Sequence, residues 1–143
     1  PAVPKYIASW EGRHDPLAAR FPLQPVTPHA RHRTHSIFGN IPWLKEISVD
    51  SVFLNPVDAD ARRICSGDAV RVWNDRGTVI VRAYRTERIM PGVVAIHEGG
   101  WYTPGPDGVD RGGCANVLTS LRPTPWAKGN AQHTALVQIK RED

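Results

Sequence analysis

The stretch AVRVWNDRGTVIVRAY, residues 69–84, decides the fold class of this 143-residue chain. Apolar and polar residues alternate on both sides of NDRG (74–77), and a short Gly-containing turn between two such runs predicts a β-hairpin. Other short runs with the composition of strands lie at 23–27, 51–54, 93–96 and 134–140. Together these runs predict a mainly β protein, in which six short strands form a small closed barrel.

One or two short helices are predicted between the strands. Asn55 is a favoured N-cap, and Pro56 fits the first position of a helix. We expect this helix to continue to about Ile64 and to be capped at its C-terminus by Gly67. Short helical turns are expected within residues 37–47, interrupted by glycine and proline.

The chain divides into a lead-in and a barrel domain. Residues 1–23 contain four prolines and no sustained periodicity, which predicts an irregular lead-in segment. Residues 24–143 are expected to form the barrel domain. Within this domain a long loop is predicted at 101–113, because that segment contains four glycines and two prolines.

Charge and composition argue against several classes of protein. The chain has 18 Lys and Arg against 14 Asp and Glu, and such a basic excess attracts phosphate groups in general. A nucleic-acid-binding barrel would interleave aromatic residues with Lys and Arg on its strands, whereas the basic residues here cluster in loops, so nucleic acid is not an expected partner. No run approaches the ~20 apolar residues of a membrane span, so no direct membrane insertion is expected. Cys65 and Cys114 lack the spacing of iron–sulfur, haem or zinc frameworks.

The densest polar cluster is TPHARHRTHS, residues 27–36. Three histidines recur in it at every third position, which suits a metal site, yet two arginines place fixed positive charge among those ligands. The planar guanidinium group pairs bidentately with phosphate, and the hydroxyl side chains of the segment add further donors. The segment therefore favours an anion site. A metal site is the lesser alternative, with His29, His32 and His35 as ligands.

A second polar segment, NVLTSLRPTPWAKGN (116–130), continues to His133. Side-chain amides such as that of Asn116 both donate and accept hydrogen bonds, so they can recognise the edge of a purine-like or pterin-like ring. The two segments share this chemistry of cations, amides and hydroxyls. We therefore predict that 27–36 and 116–133 lie on one rim of the barrel and bind one anionic heterocycle.

Several other residues are predicted to have no chemical role. Asp107 and Asp110 lie in the Gly/Pro-rich loop, where we expect both to be solvated. Cys114 has no base beside it in the sequence, so it is not predicted to be a nucleophile. No catalytic residue and no metal ligand is predicted in the chain. Four tryptophans are expected to anchor the core and the loops: Trp43, Trp73, Trp101 and Trp126.

Five pieces of the sequence match one family: TPHARHRTHS (27–36), FLNPVDADARRI (53–64), SGDAVRVWNDRG (66–77), ERIMPGVVAIHEGGWY (87–102) and DRGGCANVLTSLRPTPWAKGN (110–130). On these motifs the chain resembles the C-terminal cofactor-binding domain of the dimethyl sulfoxide reductase family of molybdenum oxidoreductases. HEGGWY, RGGCANVLT and AKGN point most narrowly to that family. The resemblance implies a six-stranded double-psi β-barrel, which agrees with the strand count.

The resemblance also implies a cofactor, the molybdenum complex of bis(molybdopterin guanine dinucleotide). By matching motif, the residues expected to contact its pterin and pyrophosphate groups are Thr27, His29, Arg33, His35, Ser36, Asn116, Lys128, Asn130 and His133. The family's molybdenum ligand and the cysteines of its [4Fe-4S] cluster lie in N-terminal parts outside these 143 residues. We therefore expect this domain by itself to be inactive.

The resemblance implies an activity and partners for the parent enzyme. It is expected to reduce dimethyl sulfoxide to dimethyl sulfide in anaerobic respiration. A reductase of another S-oxide, an N-oxide or selenate, or a stand-alone double-psi barrel that acts as a recognition module, is the alternative. The expected partners are the rest of the same catalytic subunit, an iron–sulfur electron-transfer subunit and a membrane-anchor subunit. The expected location is the periplasmic face of the bacterial cytoplasmic membrane.

The sequence also predicts how one arginine behaves on substitution. Arg33 falls in a polar segment with the composition of an exposed loop. Replacing it by alanine is therefore expected to leave the barrel folded, because exposed loop residues contribute little to stability. The same replacement is expected to lower the cofactor content, because a phosphate would lose a charge-assisted partner.

Overall fold

The predicted hairpin lies within a six-stranded mixed sheet. The computed structural model describes residues 3–47 and 50–142. The strands are β1 (Gln24–Val26), β2 (Ser51–Leu54), β3 (Ala69–Trp73), β4 (Thr78–Arg85), β5 (Val93–Ile96) and β6 (Gln138–Arg141). They are ordered β1-β5-β2-β4-β3-β6. The β1–β5 and β2–β4 pairs are parallel, and the other neighbours are antiparallel.

A pair of backbone hydrogen bonds closes this sheet into a barrel. Leu23 directly precedes β1 and Val137 directly precedes β6. The N–H of each residue donates to the carbonyl of the other, at 3.1 and 2.8 Å. The two edge strands are thereby joined at this point, and their backbone groups pair there instead of facing solvent. The prediction of a closed barrel with six strands is confirmed.

Alternate residues of the strands fill the barrel interior. In β2 and β3 the inward positions are fully buried valines and a leucine, while their neighbours are partly exposed. This period of two is the property of a strand with one face against a core. The interior also receives buried side chains from the segments between strands, namely Leu23, Ala59, Ile64, Ala115, Leu118 and Val137.

Two short α-helices and two 3₁₀ helices lie between the strands: α1 (Pro42–Ile47), α2 (Pro56–Asp60), and the 3₁₀ helices Pro16–Ala19 and Ala115–Leu118. The 3₁₀ helices are not predicted by the sequence. The predicted start of α2 is confirmed, because the Asn55 side chain accepts a hydrogen bond from the N–H of Val57 at 3.0 Å. No helix in the described part of the chain is long and apolar enough to cross a membrane.

The predicted end of α2 near Ile64 is wrong, and Gly67 does not cap it. The helix ends at Asp60, and the chain turns away at Arg63, which has a left-handed backbone with φ of 55°. The N–H of Ile64 donates to the carbonyl of Ala59 at 3.0 Å, and the N–H of Arg63 donates to that of Asp60 at 3.1 Å. These two bonds form a Schellman motif. The motif turns Ile64 into the core, and the burial of this side chain outweighs the usual preference for glycine at a left-handed position.

The lead-in segment packs on the hairpin turn. The guanidinium group of Arg76 donates to both carboxylate oxygens of Glu11, at 2.9 and 2.7 Å. Arg20 makes the same bidentate contact with Asp75, at 3.0 and 2.6 Å. Two charge-assisted pairs therefore hold the lead-in against the NDRG turn, one at Glu11 and one at Arg20.

Asp110 is buried, so the prediction that it is solvated is wrong. Its carboxylate accepts hydrogen bonds from three backbone N–H groups, those of Thr103 at 2.6 Å, Gly112 at 3.2 Å and Cys114 at 2.7 Å. Its own backbone pairs with β4. These bonds offset the cost of burying a carboxylate and fix the long loop to the barrel wall. Asp107, in contrast, is exposed as predicted.

The tryptophans lie mostly at the surface. Trp43 and Trp126 are 62% and 95% exposed, so the prediction that they anchor the core or the loops is wrong for both. Trp101 does anchor a loop, because its indole N–H donates to the carbonyl of Ser36 at 2.8 Å. Composition alone could not separate these cases, since an aromatic side chain in a loop packs against whatever surface the complete fold supplies.

A bidentate ion pair at the end of β6 makes the stability of the barrel depend on pH. Arg71 donates from Nε and Nη2 to the two carboxylate oxygens of Glu142, at 2.8 and 2.7 Å. These hydrogen bonds hold the pKa of Glu142 below its usual value. Because the folded-state pKa is the lower one, the pair stabilises the barrel above the ordinary glutamate pKa. This contribution is lost as the pH falls through the folded-state pKa.

We expect Glu142→Gln to lower the free energy of unfolding at neutral pH by about 0.5–1 kcal/mol, the range of partly exposed ion pairs. The difference between the wild type and the variant should shrink as the pH falls from the ordinary glutamate pKa through the lower pKa of the folded carboxylate. Urea unfolding at a series of pH values measures both effects. Glu87→Gln is the control, because Glu87 is exposed. A difference that stays constant down to acid pH would contradict the prediction.

Candidate functional site

The two polar segments meet beside the barrel closure. Thr27 lies four residues after Leu23, and His133 lies four residues before Val137. Antiparallel pairing that starts at the closure therefore brings Thr27 and His133 together. The N–H of Thr27 donates to Nδ1 of His133 at 3.2 Å, and the Gln24 amide donates to the His133 carbonyl at 3.2 Å. Because Nδ1 accepts this bond, the neutral His133 ring carries its hydrogen on Nε2.

Two further predicted residues converge on Glu98. The Nδ1 atoms of His29 and His35 each lie 2.8 Å from the same carboxylate oxygen, Oε1 of Glu98. A tight turn brings His35 there: the N–H of Ile37 donates to the carbonyl of Thr34 at 2.9 Å, and His35 adopts a left-handed φ of 51°. The two imidazole rings meet edge to face, with centroids 4.9 Å apart.

The side chain of Arg33 is nearly buried and is paired, so the prediction that Arg33 is an exposed loop residue is wrong. Its side chain is only 9% exposed. Nη1 donates to Oδ1 of Asp50 at 2.7 Å, and Nη2 donates to the Glu98 carbonyl at 3.0 Å. Nε is buried and has no hydrogen-bond partner in the described part of the chain. Arg33 thus connects three separate segments of the rim.

Close backbone packing extends the rim toward the second segment. A Cβ atom at Gly99 would collide with the carbonyl oxygen of His35, and Gly99 also has a left-handed φ of 81°. A Cβ atom at Gly100 would collide with the carbonyl oxygen of Gly113. Only glycine permits both approaches. Segment 27–36 is therefore joined through Gly99 and Gly100 to the chain that leads into Asn116.

The remaining predicted residues lie apart from this cluster. Asn116 lies in the 3₁₀ helix Ala115–Leu118 with an exposed side chain. Lys128 and Asn130 are exposed on a tight loop, which is closed by a hydrogen bond from the N–H of Thr124 to the carbonyl of Gly129 at 2.9 Å. The structure brings Thr27 to His133 and His29 to His35. It shows no hydrogen bond between Asn116, Lys128 or Asn130 and segment 27–36 within 3–47 and 50–142.

The donor set of the two segments fits a molybdopterin dinucleotide. Several polar side chains of the two segments make no hydrogen bond within the described residues, and among them are those of Arg31, Ser36, Asn116, Lys128 and Asn130. Cations suit the pyrophosphate, and the amides and the hydroxyl group suit the edges of pterin and guanine rings. The buried Nε of Arg33 is a further donor without an acceptor.

One group of side chains also has the composition of a metal site. In the described part of the chain, the ligand atoms of His29, His35 and Glu98 lie within 4.8 Å of one another. The carboxylate is not among the predicted ligands, because Glu98 comes from a segment distant from the three histidines. His32 is not part of this group. Both imidazoles already hydrogen-bond to the carboxylate, so their polar atoms are satisfied without a cation. The prediction of no metal ligand stays a prediction.

An open groove borders the histidine cluster on the outside of the barrel. Phe53 and Tyr84 form an edge-to-face pair at 5.2 Å, and the His97 ring lies 5.0 Å from Phe53. His29 and Arg31 line the same groove. Burial lowers the pKa of His97, and the nearby Arg33 lowers it further. At neutral pH these effects favour the neutral form of His97, although the nearby Asp50 opposes them.

Three residues that shape the site were missed by the sequence analysis: Asp50, Glu98 and Asn74. Glu98 lies in the matched HEGGWY motif, and Asn74 is the first residue of NDRG. The motifs therefore include both residues, but they do not predict what these residues contact. The Asn74 amide donates to the carbonyls of Leu118 at 2.8 Å and Leu136 at 3.1 Å. Nothing in the sequence around Asp50 indicates a role in the site, because its partner Arg33 belongs to a different loop.

Comparison with known families now decides the class of this domain. The family model described as Molydopterin dinucleotide binding domain matches residues 23–136, most of the chain. The chain belongs to this family. The resemblance found in the sequence is confirmed, and so is the prediction that the domain binds a molybdopterin dinucleotide.

Individual relatives agree with the family. Dimethyl sulfoxide reductase DmsA from Haemophilus influenzae and its namesake from Escherichia coli are each 48% identical over 97% of this chain. A trimethylamine-N-oxide reductase from Haemophilus influenzae is 41% identical over 87% of the chain. The chain spans only 17%, 17% and 16% of these proteins, respectively.

A solved structure supports the fold. Acetylene hydratase from Pelobacter acetylenicus superposes with a TM-score of 0.82 over 98% of this chain and 21% of its own, at 16% sequence identity. Identity this low supports the fold alone. Together with the closed six-stranded sheet, it confirms the predicted double-psi β-barrel architecture.

The burial of Arg33 changes the expected effect of replacing it. Arg33→Ala would leave the Asp50 carboxylate and the Glu98 carbonyl without their donor, so we expect a loss of about 1–3 kcal/mol in the free energy of unfolding. The stability of Arg33→Lys should lie between those of the wild type and Arg33→Ala, because an ammonium group cannot reproduce the guanidinium fork. Urea unfolding measures this, with exposed Arg31→Ala as the control, expected to change stability by less than about 0.5 kcal/mol. Equal stability of the two alanine variants would show that the buried contacts of Arg33 contribute nothing.

Proposed function

We propose that this chain holds the molybdenum complex of bis(molybdopterin guanine dinucleotide) in an enzyme that reduces dimethyl sulfoxide to dimethyl sulfide in anaerobic respiration. The proposal rests on the donor set beside the barrel closure. There the two segments meet at Thr27 and His133, and their exposed cations and amides have no partner in the described part of the chain. The identity of 48% to two dimethyl sulfoxide reductases supports the choice of substrate.

The predicted contact residues divide into two proposed roles. Exposed side chains, those of Ser36, Asn116, Lys128 and Asn130, would bind the cofactor directly. Thr27, His133 and Arg33 already pair within the barrel, and they would present their remaining polar atoms from fixed positions. The bound molybdenum would supply the redox chemistry that removes oxygen from the substrate. This domain would orient the cofactor and keep positive charge beside its phosphates.

Other substrates are the main alternative within the same class. The similarity to a trimethylamine-N-oxide reductase reaches 41%, and that to the large subunit of a pyrogallol hydroxytransferase from Pelobacter acidigallici reaches 38%. Proteins named for different reactions therefore share this domain, so the substrate must be selected largely by other parts of the enzyme. A stand-alone recognition module is less favoured, because it would not need two segments of phosphate and amide donors.

The rest of the same catalytic subunit is the proposed principal partner. The relatives are about six times longer than this chain, which covers 17% of them. Leu121 and Trp126 are 98% and 95% exposed on the second segment. Exposed apolar groups of this size beside a binding site indicate a surface covered by another part of the protein. We further propose an iron–sulfur electron-transfer subunit, a membrane-anchor subunit and a position at the periplasmic face of the bacterial cytoplasmic membrane.

The function is tested in the full-length enzyme that contains this chain. With a reduced dye as electron donor, we expect a higher kcat/KM for dimethyl sulfoxide than for trimethylamine N-oxide, biotin sulfoxide or selenate. The 143-residue domain alone should reduce none of them, because the molybdenum ligand lies elsewhere in the family. A preference for an N-oxide would move the enzyme to the alternative substrate class. Full activity without molybdenum would overturn the proposal altogether.

Lys128 gives a direct test of the cofactor site. Its side chain is exposed on a loop whose backbone is left-handed at Lys128, with φ of 55°. We expect Lys128→Ala to weaken cofactor retention about tenfold, the effect of removing one charge-assisted hydrogen bond. The measurement is molybdenum and guanine nucleotide per purified enzyme. The matched control is Lys140→Ala, since Lys140 is exposed on β6, away from both segments. Equal retention by both variants would remove Lys128 from the site.

A further inference from the structure

The carboxylate of Glu98 joins two histidines of the rim. Its side chain is 18% exposed, whereas those of His29 and His35 are 68% and 69% exposed. The backbone holds Glu98 in place from both sides: its N–H donates to the carbonyl of Pro28 at 3.0 Å, and its own carbonyl accepts from Arg33 at 3.0 Å. Glu98 is therefore a fixed acceptor under two exposed imidazole rings.

This geometry determines which nitrogen of each ring carries hydrogen. An ionised carboxylate only accepts hydrogen bonds, so each Nδ1 atom that lies 2.8 Å from Oε1 must donate. In a neutral imidazole the other nitrogen, Nε2, is then an acceptor. Glu98 thus leaves His29 and His35 with two Nε2 acceptors on the exposed side of the rim.

His133 forms the opposite case. Its Nδ1 accepts from the N–H of Thr27, so its free Nε2 is a donor. The rim therefore combines a histidine that offers a donor with a pair of histidines that offer acceptors. Pterin and guanine rings carry both N–H donors and carbonyl or nitrogen acceptors along their edges, so such a set distinguishes a ring edge from a simple anion.

We propose that Glu98 is a positioning residue for the molybdopterin dinucleotide, which holds His29 and His35 with Nδ1 protonated and Nε2 free to accept an N–H group of the ligand. This inference rests on the proposed function, because it assumes that the cofactor binds at this rim. Glu98 itself does not touch the ligand. It acts as the orienting partner of the two histidines, as carboxylates do for the histidine ligands of metal sites.

The test begins with the tautomers, which can be read without any cofactor. Heteronuclear NMR of the imidazole nitrogens, in isotopically labelled protein treated with a chelator, should show His29 and His35 with hydrogen on Nδ1 at a pH where both rings are neutral. Glu98→Ala should shift both rings toward hydrogen on Nε2. Glu98→Gln, which keeps an oxygen acceptor without the charge, should give an intermediate result. Glu87→Gln should change nothing.

The second readout is cofactor retention in the full-length enzyme. Glu98→Ala should lower it about tenfold, in line with the loss of an orienting carboxylate elsewhere, with Glu98→Gln again intermediate. Hydrogen on Nε2 of both rings in the wild type would overturn the inference, and so would full retention by Glu98→Ala. If Glu98→Ala fails to fold, the wild type and Glu98→Gln decide. A wild-type enzyme without cofactor would instead contradict the proposed function and leave the tautomer result standing by itself.

Discussion

Closure of the barrel between Leu23 and Val137 is the constraint on which the rest of the structure depends. Antiparallel pairing has a fixed register, so this single pair of hydrogen bonds also determines that Thr27 faces His133. The same interaction that removes the open edges of the sheet therefore assembles a contact between polar segments 106 residues apart.

Buried polar side chains attach the loops to the barrel. Asn74, at the hairpin turn, donates to the carbonyls of Leu118 and Leu136 and so holds both ends of the second segment. Asp110 binds three backbone N–H groups of the long loop and fixes its return to β4. Because a buried polar group is costly without its partners, each of these residues specifies one arrangement of its loop.

The strands could be predicted because alternation is a local property of the sequence. Both strands of the hairpin and the last strand were located from it, and the other three strands from short runs with the composition of strands. The Asn55 cap was found from two adjacent residues. The wrong predictions of burial share one cause. Asp110 lies among glycines and prolines like a solvated residue, and Arg33 lies in a loop, but both are buried by segments distant in sequence. The early end of α2 likewise follows from the burial of Ile64. Polar composition singled out the two segments of the candidate site, whereas tertiary contacts determined which of their residues are buried.

The distribution of partners separates the frame of the site from its free surface. Arg33 and Thr27 are largely buried and hydrogen-bonded within the barrel, while Asn116, Lys128 and Asn130 are exposed and make no side-chain hydrogen bond to the described residues. A binding site is most effective when its contact groups are already oriented, since less conformational entropy is then lost on binding. In this rim the backbone of the contact residues is fixed by caps, tight turns and glycine contacts, and only their side chains remain to be ordered. A ligand would therefore bind to polar side chains that have no partner and that project from a backbone already in place. This arrangement is expected of a domain that orients a cofactor rather than transforms it.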